Sequence, residues 1–276
     1  MKDHRLAIID LYNGIDNQGM RCIRDIAHSF RYQMDYEVFD VRQTAQVPEV
    51  DEFDLYIFSG GPGDPRNGEG VAGWEAAVFG LMDELFAHNR NSEEKKFVFF
   101  ICHSFQMAVH HLGLAEVTER KSMSFGTFPV HRTPAGREEV LFNGLGDPFQ
   151  VADFRRYQVV QPDEERLTEL GAEVLCLEKK RPHVPLERAI MAIRFSPEIF
   201  GTQFHPEADA MGMLKHFQRQ DIMLEVINEH GKKKYASMMR DLNHPGKIER
   251  TNATVIPRFL ERSIAALKEQ RRLVEA

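Results

Sequence analysis

Cysteine is scarce. Cys22, Cys102 and Cys176 are the only three in 276 residues, and no two form a Cys-x-x-Cys pair. An odd number at wide spacing argues against a disulfide framework or a thiolate zinc site and suits a reducing cytoplasm. Long apolar runs are also lacking. No window approaches the roughly 18 apolar residues of a membrane span, and the first run, Leu6 to Leu11, is too short for a signal peptide. Positive charge is in deficit, with a formal net charge of -7. That argues against a general nucleic-acid binder, because phosphate contacts need a basic face. Lys232, Lys233 and Lys234 make the one tight basic run and read as a solvated helix end. No phosphate-cradling P-loop is present. His110, His111 and His216 do not fall at ligand spacing with a carboxylate, so neither a metal nor another cofactor is expected. Repeats and low-complexity linkers are absent.

What is there reads as a soluble α/β chain, 42% hydrophobic and 28% charged, long enough for one large domain. Leu6 to Leu11 is a continuous apolar run, the mark of a strand covered on both faces. A helix is expected from Met20 to Tyr32, then strands at Tyr36 to Val41 and Phe53 to Ser59. Trp74 to His88 has helical spacing. This order predicts an open, mostly parallel, twisted sheet with helices on both faces, of flavodoxin-like type. Further on, β-like runs (Ala115 to Val130, a strand-loop-strand over Phe149 to Val160, Glu173 to Leu177, Ala189 to Phe195) suggest a small antiparallel sheet. Ile199 to Phe204 is the last strand expected. Helices follow at Met211 to His230, Tyr235 to Leu242 and Pro257 to Leu273. The chain divides into a domain over 1–230 and a helical C-terminal extension over 231–276. The extension is either a layer on the sheet or an appendage that binds a partner.

Three strand ends carry candidate chemistry. Phe97 to Ile101 stops at Cys102, where a helix-like pattern starts at once. A thiol at a strand-to-helix corner gains thiolate character from the helix N-terminus, and the following N–H, of His103, points where an oxyanion would form. Ser59-Gly-Gly-Pro-Gly-Asp-Pro65 follows another strand and offers outward main-chain amides. Gly201-Thr-Gln-Phe-His-Pro-Glu207 ends a third. There His205 can serve as a base, and Glu207, two residues on, can hold its tautomer.

These segments resemble the class I (triad) glutamine amidotransferases, in a stand-alone form like the glutaminase of GMP synthase. The likeness covers roughly residues 5 to 230. It rests on Ser59-Gly-Gly-Pro-Gly, on Ile101-Cys102 with Gln106 four residues on, on Gly126 ahead of Pro129-Val130, and on Gly201-Thr-Gln-Phe-His-Pro-Glu207. The resemblance implies that Cys102 attacks the side-chain amide of glutamine. His205 would protonate the departing ammonia and Glu207 would orient it. The amides of Gly61 and His103 would form the oxyanion hole, and Gly60 and Gln106 would bind the substrate. The implied ligand is glutamine or a γ-glutamyl small molecule, with ammonia passed to a separate synthetase subunit and an oligomer possible. Two departures stand out. The family's Gly-x-Cys-x-Gly-x-Gln elbow here has Phe100 and Ser104 in place of the glycines. A Ser-Gly-Gly-x-Asp-Ser pyrophosphatase loop is missing. Three alternatives stay open: a non-enzymatic binding module, a γ-glutamyl peptidase, and a protease or deglycase that uses His103 beside the cysteine. Arg155, Arg156 and Tyr157 are expected on a loop near substrate or partner.

Overall fold

The computed structural model describes residues 4–14, 17–66, 73–180 and 187–275. In chain order the elements are β1 (His4–Asp10), α1 (Gln18–Ser29), β2 (Met34–Asp40), α2 (Val41–Thr44), β3 (Leu55–Phe58), α3 (Gly73–Asn91), β4 (Phe97–Ile101) and α4 (His103–His111). Next come β5 (Ala115–Arg132), α5 (Pro134–Glu138), β6 (Phe149–Pro162), α6 (Glu164–Leu170), β7 (Glu173–Glu178), β8 (Ile190–Ser196) and β9 (Ile199–Thr202). The chain closes with α7 (Ala210–Phe217), α8 (Gln220–His230), α9 (Lys232–Leu242) and α10 (Ile248–Glu275).

The strands form a nine-stranded sheet in the order β2-β1-β3-β4-β9-β8-β7-β5-β6. The pairs β2-β1, β1-β3, β3-β4 and β4-β9 are parallel. From β9 to β6 every pair is antiparallel. The antiparallel strands are therefore hydrogen-bonded onto the parallel part and continue the same sheet. Apolar residues alternate between its two faces, as a strand period of two requires. Leu6, Ile8, Leu55, Ile57, Phe97 and Phe99 enter one core with α1 and α10. Ala7, Ile9, Tyr56, Phe58, Val98 and Phe100 enter the other with α3 and α4.

Four expectations are corrected. The strand-loop-strand over Phe149 to Val160 is one strand, β6, which pairs with β5 along its length around a register shift between Glu119 and Ser124. Arg155 to Tyr157 lie inside that strand. Arg155 is buried because Asp153 pairs with it at 3.1 Å and the Tyr157 carbonyl accepts from it at 3.3 Å. The single helix expected over Met211 to His230 is broken between α7 and α8, where the Tyr235 hydroxyl donates to the Phe217 carbonyl at 2.9 Å. Pro257 does not open the last helix but lies within it, nine residues past Ile248. Val255, Ile256, Phe259, Leu260, Ile264 and Leu267 make one stripe packed on the sheet, and that burial outweighs the proline's missing N–H. Of the two roles open to the C-terminal helices, α10 takes the first: it is a layer of the fold.

Candidate active site

The strand order places consecutive chain ends side by side. β1, β3, β4 and β9 are neighbours and parallel, so Tyr12, Gly60-Gly61, Cys102 and His205 all emerge at one edge. Ligands gather at such carboxyl edges in open α/β sheets. A cavity of about 470 Å³ opens there, lined by Tyr12, Cys22, Gly61, Cys102, Phe154, His205, Glu207 and residues of α1 and α7.

Cys102 sits at φ 51° and ψ -96°, the strained corner between β4 and α4. A left-handed backbone at a non-glycine residue costs about 1–3 kcal/mol and persists only where the surroundings hold it. Three bonds do so. The Cys102 N–H donates to the Thr202 carbonyl at 2.7 Å. The Ile101 N–H donates to the Ser104 hydroxyl at 2.8 Å, and that hydroxyl lies 2.9 Å from the Phe58 carbonyl. Ser104 thus braces the turn where the related elbow has a glycine. Phe100 leaves by the opposite face. It is fully buried, with its ring centroid 4.9 Å from that of Phe58 and 5.7 Å from that of Phe195. Its partner in register is Gly201, where a Cβ would lie 3.3 Å from the Phe100 Cβ and 2.6 Å from Phe105. The glycine that makes room is on the neighbouring strand.

His205 continues from β9, its N–H donating to the Ala152 carbonyl at 2.9 Å. Its Nδ1 meets Glu207 Oε1 at 2.7 Å. Burial opposes charge on the imidazole, but Glu207 and then Cys102 outweigh it and hold His205 well above its ordinary value. Glu207 is itself fully buried, and its Oε2 has no hydrogen-bond partner. Asn252 on α10 donates to the Glu207 carbonyl at 2.7 Å.

Gly61 faces the cavity, and a Cβ there would collide with the Leu11 carbonyl. His103 opens α4, so its N–H has no acceptor within the helix. Its side chain is buried and is not part of the cavity lining. The His103 Nε2 lies 3.3 Å from Arg42 Nη2, and burial together with Arg42 pushes the imidazole down to about 3. That placement favours His205, which is hydrogen-bonded to Cys102, over His103 as the partner of the thiol. Gly60 lies beneath the site: a Cβ on it would sit 2.7 Å from the Tyr12 hydroxyl and 2.9 Å from His205 Cε1. Gln106 is not in the cavity lining. Its side chain is buried and donates to the Tyr157 carbonyl at 3.1 Å and to Gln203 Oε1 at 2.9 Å. Gln203 Nε2 in turn reaches the Cys102 sulfur at 3.8 Å. Gln106 thus reaches the thiol through Gln203.

Sequence reasoning missed Tyr12, Cys22, Gln203 and Phe154. Tyr12 carried a weak signal, being two residues past the first strand. Burial, then Glu207 and Cys102, push its phenol well above the ordinary value. Cys22 packs against Asp209 at 3.2 Å, and burial pushes its thiol up to about 12, which leaves it inert. Phe154 contributes its carbonyl, 3.9 Å from the Cys102 sulfur. Among the described residues no group of His, Cys, Asp or Glu is placed to hold a metal, and no helix is long and apolar enough to cross a membrane.

A strained thiol elbow beside a histidine–carboxylate pair at the carboxyl edge of a parallel sheet is the architecture of thiol-dependent acyl transfer. The chain belongs to the class-I glutamine amidotransferase family, whose model matches residues 7–222. Aminodeoxychorismate synthase of Saccharomyces cerevisiae is 28% identical over 163 residues, which is 59% of this chain but only 19% of that protein. A glutamine amidotransferase-like protein of Salmonella typhimurium is 26% identical over 179 residues, 64% of this chain and 67% of that one. In fold, a glutamine amidotransferase from Thermotoga maritima superposes with a TM-score of 0.69 at 18% identity, covering 96% of this chain and 99% of that one.

Proposed function

We propose that this protein hydrolyses a γ-glutamyl carboxamide, glutamine being the simplest, through a thioester at Cys102. The observation that carries the reading is that Cys102, at its strained corner, shares the cavity and a side-chain hydrogen bond with a His205 imidazole held 2.7 Å from Glu207. The Cys102 proton passes to His205, and the thiolate attacks the γ-carbonyl carbon. The oxyanion takes its hydrogen bonds from the Gly61 and His103 amides. Protonated His205 then donates to the departing nitrogen, and the C–N bond breaks. Water, activated by His205, cleaves the thioester to free glutamate and restore the thiol. The raised His205 value supports this division of labour, because it favours an imidazolium that can donate to the departing nitrogen. When glutamine is the substrate, the ammonia goes to a separate synthetase subunit.

The reading as a non-enzymatic module draws on Phe100 in the elbow and on the extra C-terminal helices. The Phe100 ring is buried on the far face with the corner intact, and α10 packs on the sheet, so neither feature favours that reading over hydrolysis. The test is release of glutamate and ammonia from glutamine by the protein alone and in complex with any synthetase that co-purifies, together with labelling of Cys102 by a glutamine-like electrophile. Cys102→Ala is expected to lower turnover by about three orders of magnitude or more. Absence of both turnover and labelling would sink the reading.

A further inference from the structure

The cavity is larger and more apolar than a carboxamide nitrogen requires. Its volume is about 470 Å³, on the scale that encloses a drug-sized ligand, so it can hold a γ-glutamyl group together with a substituent on the departing nitrogen. Where its apolar wall lies decides what it takes. In the proposed chemistry, protonated His205 must face the departing nitrogen. Any substituent on that nitrogen therefore extends past the imidazole. The residues beyond His205 are Phe154, whose ring centroid is 6.1 Å from that of His205, and Phe217, stacked on Phe154 at 6.1 Å. Helix α7 starts three residues after Glu207, and its inner face adds Met213 to the same wall. Met213 and Phe217 are only 6% and 7% exposed. They are packed into the wall of a concave cavity and do not form an exposed apolar surface, which suits a small molecule better than a docked protein.

We infer that, given the thioester chemistry proposed above, the substrate class is a γ-glutamyl amide of an apolar primary amine, with the amine's side group held by Phe154, Met213 and Phe217. Attack by Cys102 breaks the bond between the γ-carbonyl carbon and the amine nitrogen. The nitrogen takes its proton from His205 and leaves as the free amine. Water then releases glutamate, so amide and water become glutamate and amine with no other reactant. A reaction that joins glutamate to an apolar amine must supply such a substrate. Glutamine fits the same site but leaves the aromatic wall uncovered.

The test compares kcat/KM for γ-glutamyl-benzylamide, glutamine and γ-glutamyl-glycine, the last carrying a charged group on the nitrogen. The expected order has the benzylamide ahead of both by about tenfold or more, the discrimination an apolar subsite supplies. Met213→Gln, close in volume but polar, is expected to shrink the ratio of benzylamide to glutamine turnover severalfold. Equal or better turnover of glutamine or γ-glutamyl-glycine overturns the inference, as does a ratio that Met213→Gln leaves in place. A second measurement is independent of turnover. In Cys102→Ala, γ-glutamyl-benzylamide should raise Tm at concentrations where glutamine does not, because a ligand that binds only the folded state stabilises it. No such difference also overturns the inference. If binding is seen but wild-type protein neither turns over any γ-glutamyl compound nor labels at Cys102, the proposed chemistry fails and the apolar subsite stands.

Discussion

At the scale of single residues, the site depends on a carboxylate kept where carboxylates are rarely found. Glu207 is fully buried, makes one bond to His205 and leaves its second oxygen without a hydrogen-bond partner. Such a group is sustained by the charge opposite it. Glu207→Gln keeps a hydrogen-bonding atom near Nδ1 and removes the charge. His205 should then fall toward the ordinary histidine value, read from its imidazole resonances, and Cys102 labelling should slow about 10–100-fold. In the wild-type protein the sign is fixed by the raised value. The stability that comes from protonating His205 is fully present below pH 6.5 and is lost as pH climbs through the raised value.

His103 has the opposite sign. Burial and Arg42 push it down to about 3, so the folded protein refuses a proton that the unfolded chain accepts. Stability present above pH 6.5 is lost as pH falls toward 3, at up to about 1.4 kcal/mol per pH unit. His103→Gln should flatten that acid limb in denaturation midpoints measured between pH 6 and pH 4. None of this is legible in the sequence. Adjacency to Cys102 makes His103 visible, but ring direction depends on Arg42, 61 residues away. Tyr12 is only weakly legible for the same reason, since its place in the site depends on Gly60, beyond the end of β3, which leaves room for its hydroxyl.

At the scale of elements, the elbow shows what a sequence pattern can and cannot say. Cys102 at the end of an apolar strand is plain in the sequence because a buried strand has a simple signature. Whether the corner tolerates Phe100 is not, because the answer lies in β9. Phe100 faces Gly201 in register and shares its space with Phe58 and Phe195. Phe100 is therefore a core side chain. Phe100→Ala should cost about 3–5 kcal/mol in chemical denaturation rather than ease the turn. Gly201→Ala tests the same packing from the other side. Its new methyl would lie 2.6 Å from the Phe105 ring and should cost about 1–3 kcal/mol. If either variant unfolds at the wild-type midpoint, Phe100 and Gly201 do not share the packed space described. The continuous β6 was hidden by a related effect. Asp153 and Arg155 look like loop residues until each is seen to supply the other's counter-charge inside the sheet.

At the scale of the whole molecule, α10 belongs to the sheet's architecture as firmly as α1 does. Its distance in sequence and its internal proline disguise this. The six apolar side chains it buries contribute about 1.5–3 kcal/mol each. Their sum, on the order of 10 kcal/mol, rivals the entire stability of an ordinary domain, about 5–15 kcal/mol. A chain ended at Lys247 should therefore show no cooperative unfolding transition, although the family match closes at residue 222. A milder change separates support of the fold from support of the site. Asn252 on α10 donates to the Glu207 carbonyl, and Thr251 beside it donates to the Gln150 carbonyl at 2.6 Å. Both bonds tie the helix to the edge that carries the chemistry, but only the first acts on Glu207. Asn252→Ala and Thr251→Ala should each lose about 0.5–1.5 kcal/mol of stability. Asn252→Ala alone should also lower the His205 value and slow Cys102 labelling, because the freed Glu207 backbone no longer fixes the carboxylate against Nδ1. Equal labelling rates in the two variants would mean that α10 supports the sheet and has no hold on the site.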